Sequence, residues 1–118
     1  MIYIAVYANM NLNKDERGAA LEIIYKNKSI NKVCTDANAA RKEYGIEMAR
    51  KIHFRIDQIS VAETVDQLVL FHIGRCHALH GDRKGQFAMD LVHPYRLVFA
   101  KVHNEVKIVE VQEIVDYH

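Results

Sequence analysis

Gln86-Phe-Ala-Met-Asp-Leu-Val92, Tyr95-Arg-Leu-Val-Phe-Ala-Lys-Val102 and Val106-Lys-Ile-Val-Glu-Val-Gln-Glu-Ile-Val-Asp-Tyr117 succeed one another, interrupted by His93-Pro94 and His103-Asn104. The first run alternates. Phe87, Met89 and Leu91 fall on one side of an extended backbone, as a strand with one buried face requires. Proline has no N–H to give a ladder, so His93-Pro94 ends that strand. The second and third runs are rich in β-branched residues, which suit a pleated surface. Short turns join antiparallel neighbours, so the three runs predict a meander. A shorter strand candidate, Arg75–Leu79, comes before them across Gly81-Asp-Arg-Lys-Gly85, a turn with a glycine at each end to take up unusual dihedral angles.

Upstream the period changes from two to that of a helix. Thr35-Asp36 can cap a helix, because a short side-chain oxygen accepts a bond from a free backbone N–H. From there Ala40, Tyr44, Met48, Ile52, Ile56 and Ile59 recur at helical spacing as a core stripe. Glu47, Lys51 and Arg55 lie four apart on another face, where they can pair. Ser60-Val-Ala-Glu63 has the form of a capping box, which predicts that a second helix starts there, with Val65, Leu68 and Val69 inward. Leu21–Tyr25 reads as a first strand. The predicted architecture is therefore α+β, with two N-terminal helices packed on a small twisted antiparallel sheet. The domain runs over 21–118. Residues 1–20, with their polar stretch Met10–Gly18, are either an extra strand or an N-terminal extension.

Bulk properties narrow the class. At 118 residues and half hydrophobic, the chain can bury a core in one domain. The apolar start, Met1–Ala8, is far short of the roughly 20 residues that a membrane helix needs, and it has neither the basic region nor the cleavage site of a signal peptide. Cys34 and Cys76 fit no disulfide framework or zinc motif. A cytoplasmic protein with reduced thiols is expected. The net charge of +1 excludes nucleic-acid binding by bulk charge alone. Its distribution is uneven, however. Arg75, Arg83, Lys84, Arg96 and Lys101 face only Asp82 and Asp90 between positions 71 and 101. The tail that follows is acidic.

That local basic character sits beside most of the histidines, a combination suited to RNA cleavage. A base takes the proton of a ribose 2′-OH, the oxygen attacks the adjacent phosphate, an acid protonates the leaving 5′-oxygen, and cations hold the phosphate charge. Histidine, with an ordinary pKa of about 6.5, suits both proton transfers. The arginine fork suits the phosphate. Three places supply such groups: Arg75-Cys-His77-Ala-Leu-His80-Gly-Asp-Arg83-Lys84, then Arg96 inside a hydrophobic strand, then Asp116-Tyr117-His118. Strand alternation turns Asp116 and His118 one way and Tyr117 the other, and in a meander the first and last of these segments can lie close. A guanidinium in an apolar strand needs a partner or a polar face; Asp90 and Asp116 are the carboxylates within reach of Arg96. His77 and His80 are spaced so that their side chains diverge, and no third ligand is at hand, so no metal and no cofactor are expected. His93, ahead of a proline, reads as structural.

The runs His77-Ala-Leu-His-Gly-Asp-Arg-Lys-Gly85, His93-Pro-Tyr-Arg-Leu-Val-Phe99 and Glu113-Ile-Val-Asp-Tyr-His118, in that order, resemble the HigB branch of the RelE/ParE toxin superfamily, some of whose members are called killer proteins. The resemblance covers Leu21 to His118. It implies a RelE/ParE-like fold and a metal-independent, ribosome-dependent mRNA endonuclease, neutralised by a helix-turn-helix antitoxin of the HigA kind that alone contacts operator DNA. His77, Arg96, Asp116, Tyr117 and His118 match the family's catalytic positions, with His77 or His118 as the proton-transfer residue. Arg75, His80, Arg83 and Lys84 would contact RNA. One departure stands out: the family usually has Pro-Leu-Lys before the turn glycine, where this chain has Ala78-Leu79-His80, so a permanent cation becomes a titratable group. A non-cleaving gyrase inhibitor of the ParE kind, and a degenerate member that only binds its antitoxin and regulates the operon, are the alternatives.

Overall fold

The three quoted runs do form adjacent strands. In the computed structural model, which describes residues 20–117, β1 is Glu22–Tyr25, β2 His77–Ala78, β3 Gln86–Asp90, β4 Tyr95–Val102 and β5 Glu105–Asp116. The expectations for the segment before residue 20 and for His118 lie outside the described residues. The sheet order is β1-β5-β4-β3-β2. β2 to β5 pair antiparallel, as short turns dictate. β1 joins the far side of β5 in parallel, with Glu22 opposite Ile108 and Tyr25 opposite Val111. A parallel neighbour needs a long crossover, and here the crossover contains every α-helix among the described residues.

The helices are α1 (Lys28–Thr35), α2 (Ala37–Tyr44), α3 (Ile46–Val61) and α4 (Val65–Leu70), more pieces than the two expected. Asn27 caps α1 by accepting from the Ile30 N–H at 2.9 Å. Asp36 caps α2 as expected, accepting from Asn38 at 2.9 Å and Ala39 at 3.3 Å. The single long helix predicted from Asp36 is broken at Gly45, whose φ of +91° belongs to glycine. The apolar stripe survives the break because α2 and α3 cover the same face of the sheet. The second helix starts later than the Ser60–Glu63 reading placed it. Ser60 bonds back to the Asp57 carbonyl, while Thr64 caps α4 by accepting from Gln67 N–H at 3.1 Å and Gln67 returns a bond to Glu63 N–H at 3.0 Å.

Between helices and sheet lies one core. Met48, Ile52 and Ile59 of α3 and Val65 and Leu68 of α4 pack with Met89, Leu97, Phe99, Val109 and Val111 of the strands. Phe87 and Phe99 are cross-strand partners, stacked with centroids 5.6 Å apart. Leu21 ties β1 to the end of α3, its N–H donating to the Ala62 carbonyl at 2.8 Å. A register shift between Val98 and Phe99 leaves Gln112 as the extra residue of a bulge in β5.

Cys34 and Cys76 are buried free thiols, and burial pushes both pKa values up to about 12. Both should stay unmodified by a thiol reagent at pH 8 in the folded chain and react fully once urea unfolds it. The unfolded chain releases these protons at lower pH than the folded chain. Stability is therefore expected to fall as pH rises from the ordinary thiol range toward 12, measured as the urea midpoint. Reaction of either thiol in native buffer at the rate of a free peptide would contradict this.

Candidate active site on the open face of the sheet

Strand alternation sends Met89, Leu97 and Phe99 to the helices and Ala88, Asp90, Arg96 and Val98 to the opposite face. Among the described residues no α-helix covers that face. Its chemistry follows the register. Asp90 pairs with Arg96, which pairs with Val115. The next row is His77, Ala88, Val98 and Glu113. Ala88 and Val98 are fully buried although they stand apart from the helix-facing core. They form a low apolar floor, and long polar side chains rise on either side of it.

On one side stand Arg75, Arg96 and Tyr117. The Arg96 guanidinium lies over the Tyr117 ring at 4.9 Å and faces Asp90 Oδ1 at 3.5 Å. Arg75 Nε meets the other oxygen of the same carboxylate at 3.0 Å. The Tyr117 N–H donates to the Pro94 carbonyl at 3.0 Å, which ties the end of β5 to the turn that follows β3. On the other side, Arg83 leaves its turn to donate to Gln86 at 3.0 Å and to Glu113 at 2.6 Å. The Glu113 bond holds the Arg83 guanidinium above its ordinary pKa, against a small opposing effect of burial. Gln86 in turn donates to Gln112, and Gln112 to Glu110.

His77 stands at the β2 edge. Its Nδ1 lies 2.8 Å from the Arg75 carbonyl. A carbonyl only accepts, so Nδ1 carries the proton and a neutral ring presents its lone pair at Nε2. Between His77 on β2 and the end of β5 lie β3 and β4, three strand spacings or about 14 Å of backbone. His80 and Lys84 are exposed around the turn before β3. Asp116 is opposite Tyr95, and alternation gives it the other face from Tyr117. Of the sequence-predicted residues, the open face thus gathers His77, Arg75, Arg83, Arg96 and Tyr117. Among the described residues no group of three or more His, Cys, Asp or Glu side chains could hold a metal ion.

No family model matches the sequence, and no curated protein does. Solved structures do match. The YoeB-YefM complex from Staphylococcus aureus gives a TM-score of 0.54 at 19% identity, over 85% of this chain and 99% of that one. The YoeB dimer from the same organism gives 0.55 at 18%, with the same coverage. The fold is RelE-like.

Within this RelE-like frame two residues escaped the sequence reading. Arg55 was read as a member of a helix-surface charge series; in the fold its Nε donates to the Asp90 carbonyl at 2.7 Å and its Nη1 to Gln58 at 2.9 Å. Burial draws the Arg55 pKa below its ordinary value, and the Asp90 charge works against that. Asp90 itself was seen only as one partner open to Arg96. A signal was present: Asp90 and Arg96 are equidistant from His93, so a tight turn there makes them cross-strand neighbours.

Proposed function

We propose that the chain is the toxin of a type II toxin–antitoxin pair and, as the HigB resemblance implies, an mRNA endonuclease acting on the ribosome. One observation carries the reading: cations from distant motifs and His77 share the open face of one sheet, around a small apolar floor. Arg96, braced by the Tyr117 ring, is the group to meet the phosphate, with Arg75 beside it. His77, with Nε2 as acceptor, can take the 2′-OH proton, and a second group, for which the family resemblance offers His118, returns one to the 5′-oxygen. The products are a 2′,3′-cyclic phosphate and a free 5′-OH, with no metal or cofactor in the scheme. Arg83, His80 and Lys84 extend the basic rim along which RNA would run.

YoeB is a RelE/ParE-superfamily toxin, and the fold likeness to it supports the toxin reading. YoeB has been seen bound to YefM, which supports an antitoxin partner here. The HigB resemblance implies a helix-turn-helix partner, which YefM is not; the protein that co-purifies with the chain will decide the class. Action on ribosomes is action in the cytoplasm, and among the described residues no helix is long and apolar enough to cross a membrane.

One observation favours a non-cleaving alternative, either a ParE-like gyrase inhibitor or an operon regulator: every arginine of the face has a carboxylate against it, Asp90 for Arg75 and Arg96 and Glu113 for Arg83. Mapping RNA 5′ ends after brief induction in cells lacking the antitoxin separates the readings. New ends inside translated frames are the expected result. Growth arrest without new ends would overturn the endonuclease and indicate a bound target such as gyrase. Neither arrest nor new ends would leave the regulator.

A further inference from the structure

Asp90 is the residue on which this face converges. Its Oδ2 takes Arg75 Nε at 3.0 Å and its Oδ1 faces Arg96 Nε at 3.5 Å. Oδ1 is shut off from solvent and has no hydrogen-bond partner, so its charge is turned wholly toward the guanidinium beside it. The backbone of Asp90 is held from beneath as well, by Arg55 reaching up from α3. That reach depends on Gly74, where an added Cβ would lie 2.8 Å from Arg55 Nε. Arg75, in turn, accepts the His77 Nδ1–H on its backbone carbonyl.

Two guanidinium groups sharing one carboxylate repel each other, and the repulsion is stronger on a partly dry protein face than in water. Without the carboxylate the exposed Arg75 would swing away and Arg96 would lose its lateral restraint. With it, each Nε faces one oxygen of the same carboxylate, Arg75 at 3.0 Å and Arg96 more loosely at 3.5 Å, and the forked Nη ends are left for another acceptor. We propose that Asp90 is the positioning residue of the site: a carboxylate clamp that holds Arg75 and Arg96 side by side as a preformed seat for one RNA phosphodiester. The inference rests on the reading that this face binds RNA and assigns to Asp90 a place in it that the sequence motifs do not.

The test compares wild type with Asp90→Asn and Asp90→Glu by three measurements. The first is the Arg Nε–H signals in ¹⁵N spectra. Those of Arg75 and Arg96, each beside a carboxylate oxygen, should be displaced from the free-arginine position in wild type and move toward it in the Asn variant. Arg55, bonded to the backbone of Asp90, should keep its signal and serves as the internal control. The second is binding of a 2′-O-methyl RNA oligonucleotide, which cannot be cut. The Asn variant, one negative charge poorer, should bind at least as tightly, with a salt slope steeper by about 0.7. The third is cleavage of ribosome-bound mRNA, expected to fall at least tenfold in kcat without a rise in KM and to be partly restored in the Glu variant. Unchanged Arg75 and Arg96 signals in the Asn variant would overturn the clamp, as would cleavage at the wild-type rate. Joint loss of binding, cleavage and melting temperature would also overturn it, in favour of a plain structural role. Wild type that cuts no RNA would sink the endonuclease reading, and the Nε–H signals would then decide the clamp by themselves.

Discussion

Arg96→Ala should lower mRNA cleavage by about 10²- to 10³-fold, the usual cost of removing one preorganised donor from a developing oxyanion. The side chain is one-third exposed, sits over the Tyr117 ring and faces Asp90, so its guanidinium is held in place before substrate arrives. Its loss removes a contact that strengthens as the phosphate gains charge, and the effect belongs in kcat. Stability should hardly change, because partly exposed ion pairs are worth about 1 kcal/mol or less. Single-turnover cleavage together with a thermal melt checks both halves. Arg96→Lys should recover part of the rate but not all of it, since an ammonium lacks the fork. A loss under threefold in the alanine variant, with wild type active, would remove Arg96 from the chemistry.

Phe99→Ala carries the largest expected cost in stability, about 3–5 kcal/mol. Phe99 is fully buried in the middle of β4 and stacks on Phe87 across the strand pair. Its removal opens a cavity between α3 and the sheet and strips the Phe87 ring of its partner. Domains of this kind hold only about 5–15 kcal/mol in total, so the variant should lie near its unfolding threshold. Urea unfolding should show a lower midpoint with an unchanged slope. Phe99→Leu, which fills most of the space, should cost much less. A midpoint in the alanine variant within 0.3 M or so of wild type would mean that the core refills around the gap, against the packing seen here.

The strands were legible because their signals are local. Alternation in Gln86–Val92, the β-branched run Val106–Tyr117 and the turns at Pro94 and Asn104 each speak for a few residues; β3 stops at Asp90, β5 spans Glu105–Asp116, and β4 spans Tyr95–Val102 as read. What was not legible depends on distant parts. The break at Gly45 is hidden because Tyr44, Met48 and Ile52 keep helical spacing across it. α1 is only eight residues long, too short for its period to stand out. The parallel seat of β1 on β5 cannot be read from turn lengths, which speak only for neighbours in the chain. The site divides in the same way. The motifs carried His77, Arg83, Arg96 and Tyr117, and the register brought them to one face. The convergence of Arg55, Arg75 and Arg96 on Asp90 joins a helix, a 3₁₀ turn and two strands, and no single stretch of sequence contains it.

β5 lies between β1 and β4 in space, yet it is the last of the described strands to be made. During synthesis β1 emerges early and has no neighbour to pair with until the sheet's second strand follows it out nearly the whole domain later. Long-range pairing of this sort is paid for last in folding. Tyr117, the brace for Arg96, comes at the far end of β5. A nascent chain of this protein therefore completes its arginine face only after nearly the whole domain has been made.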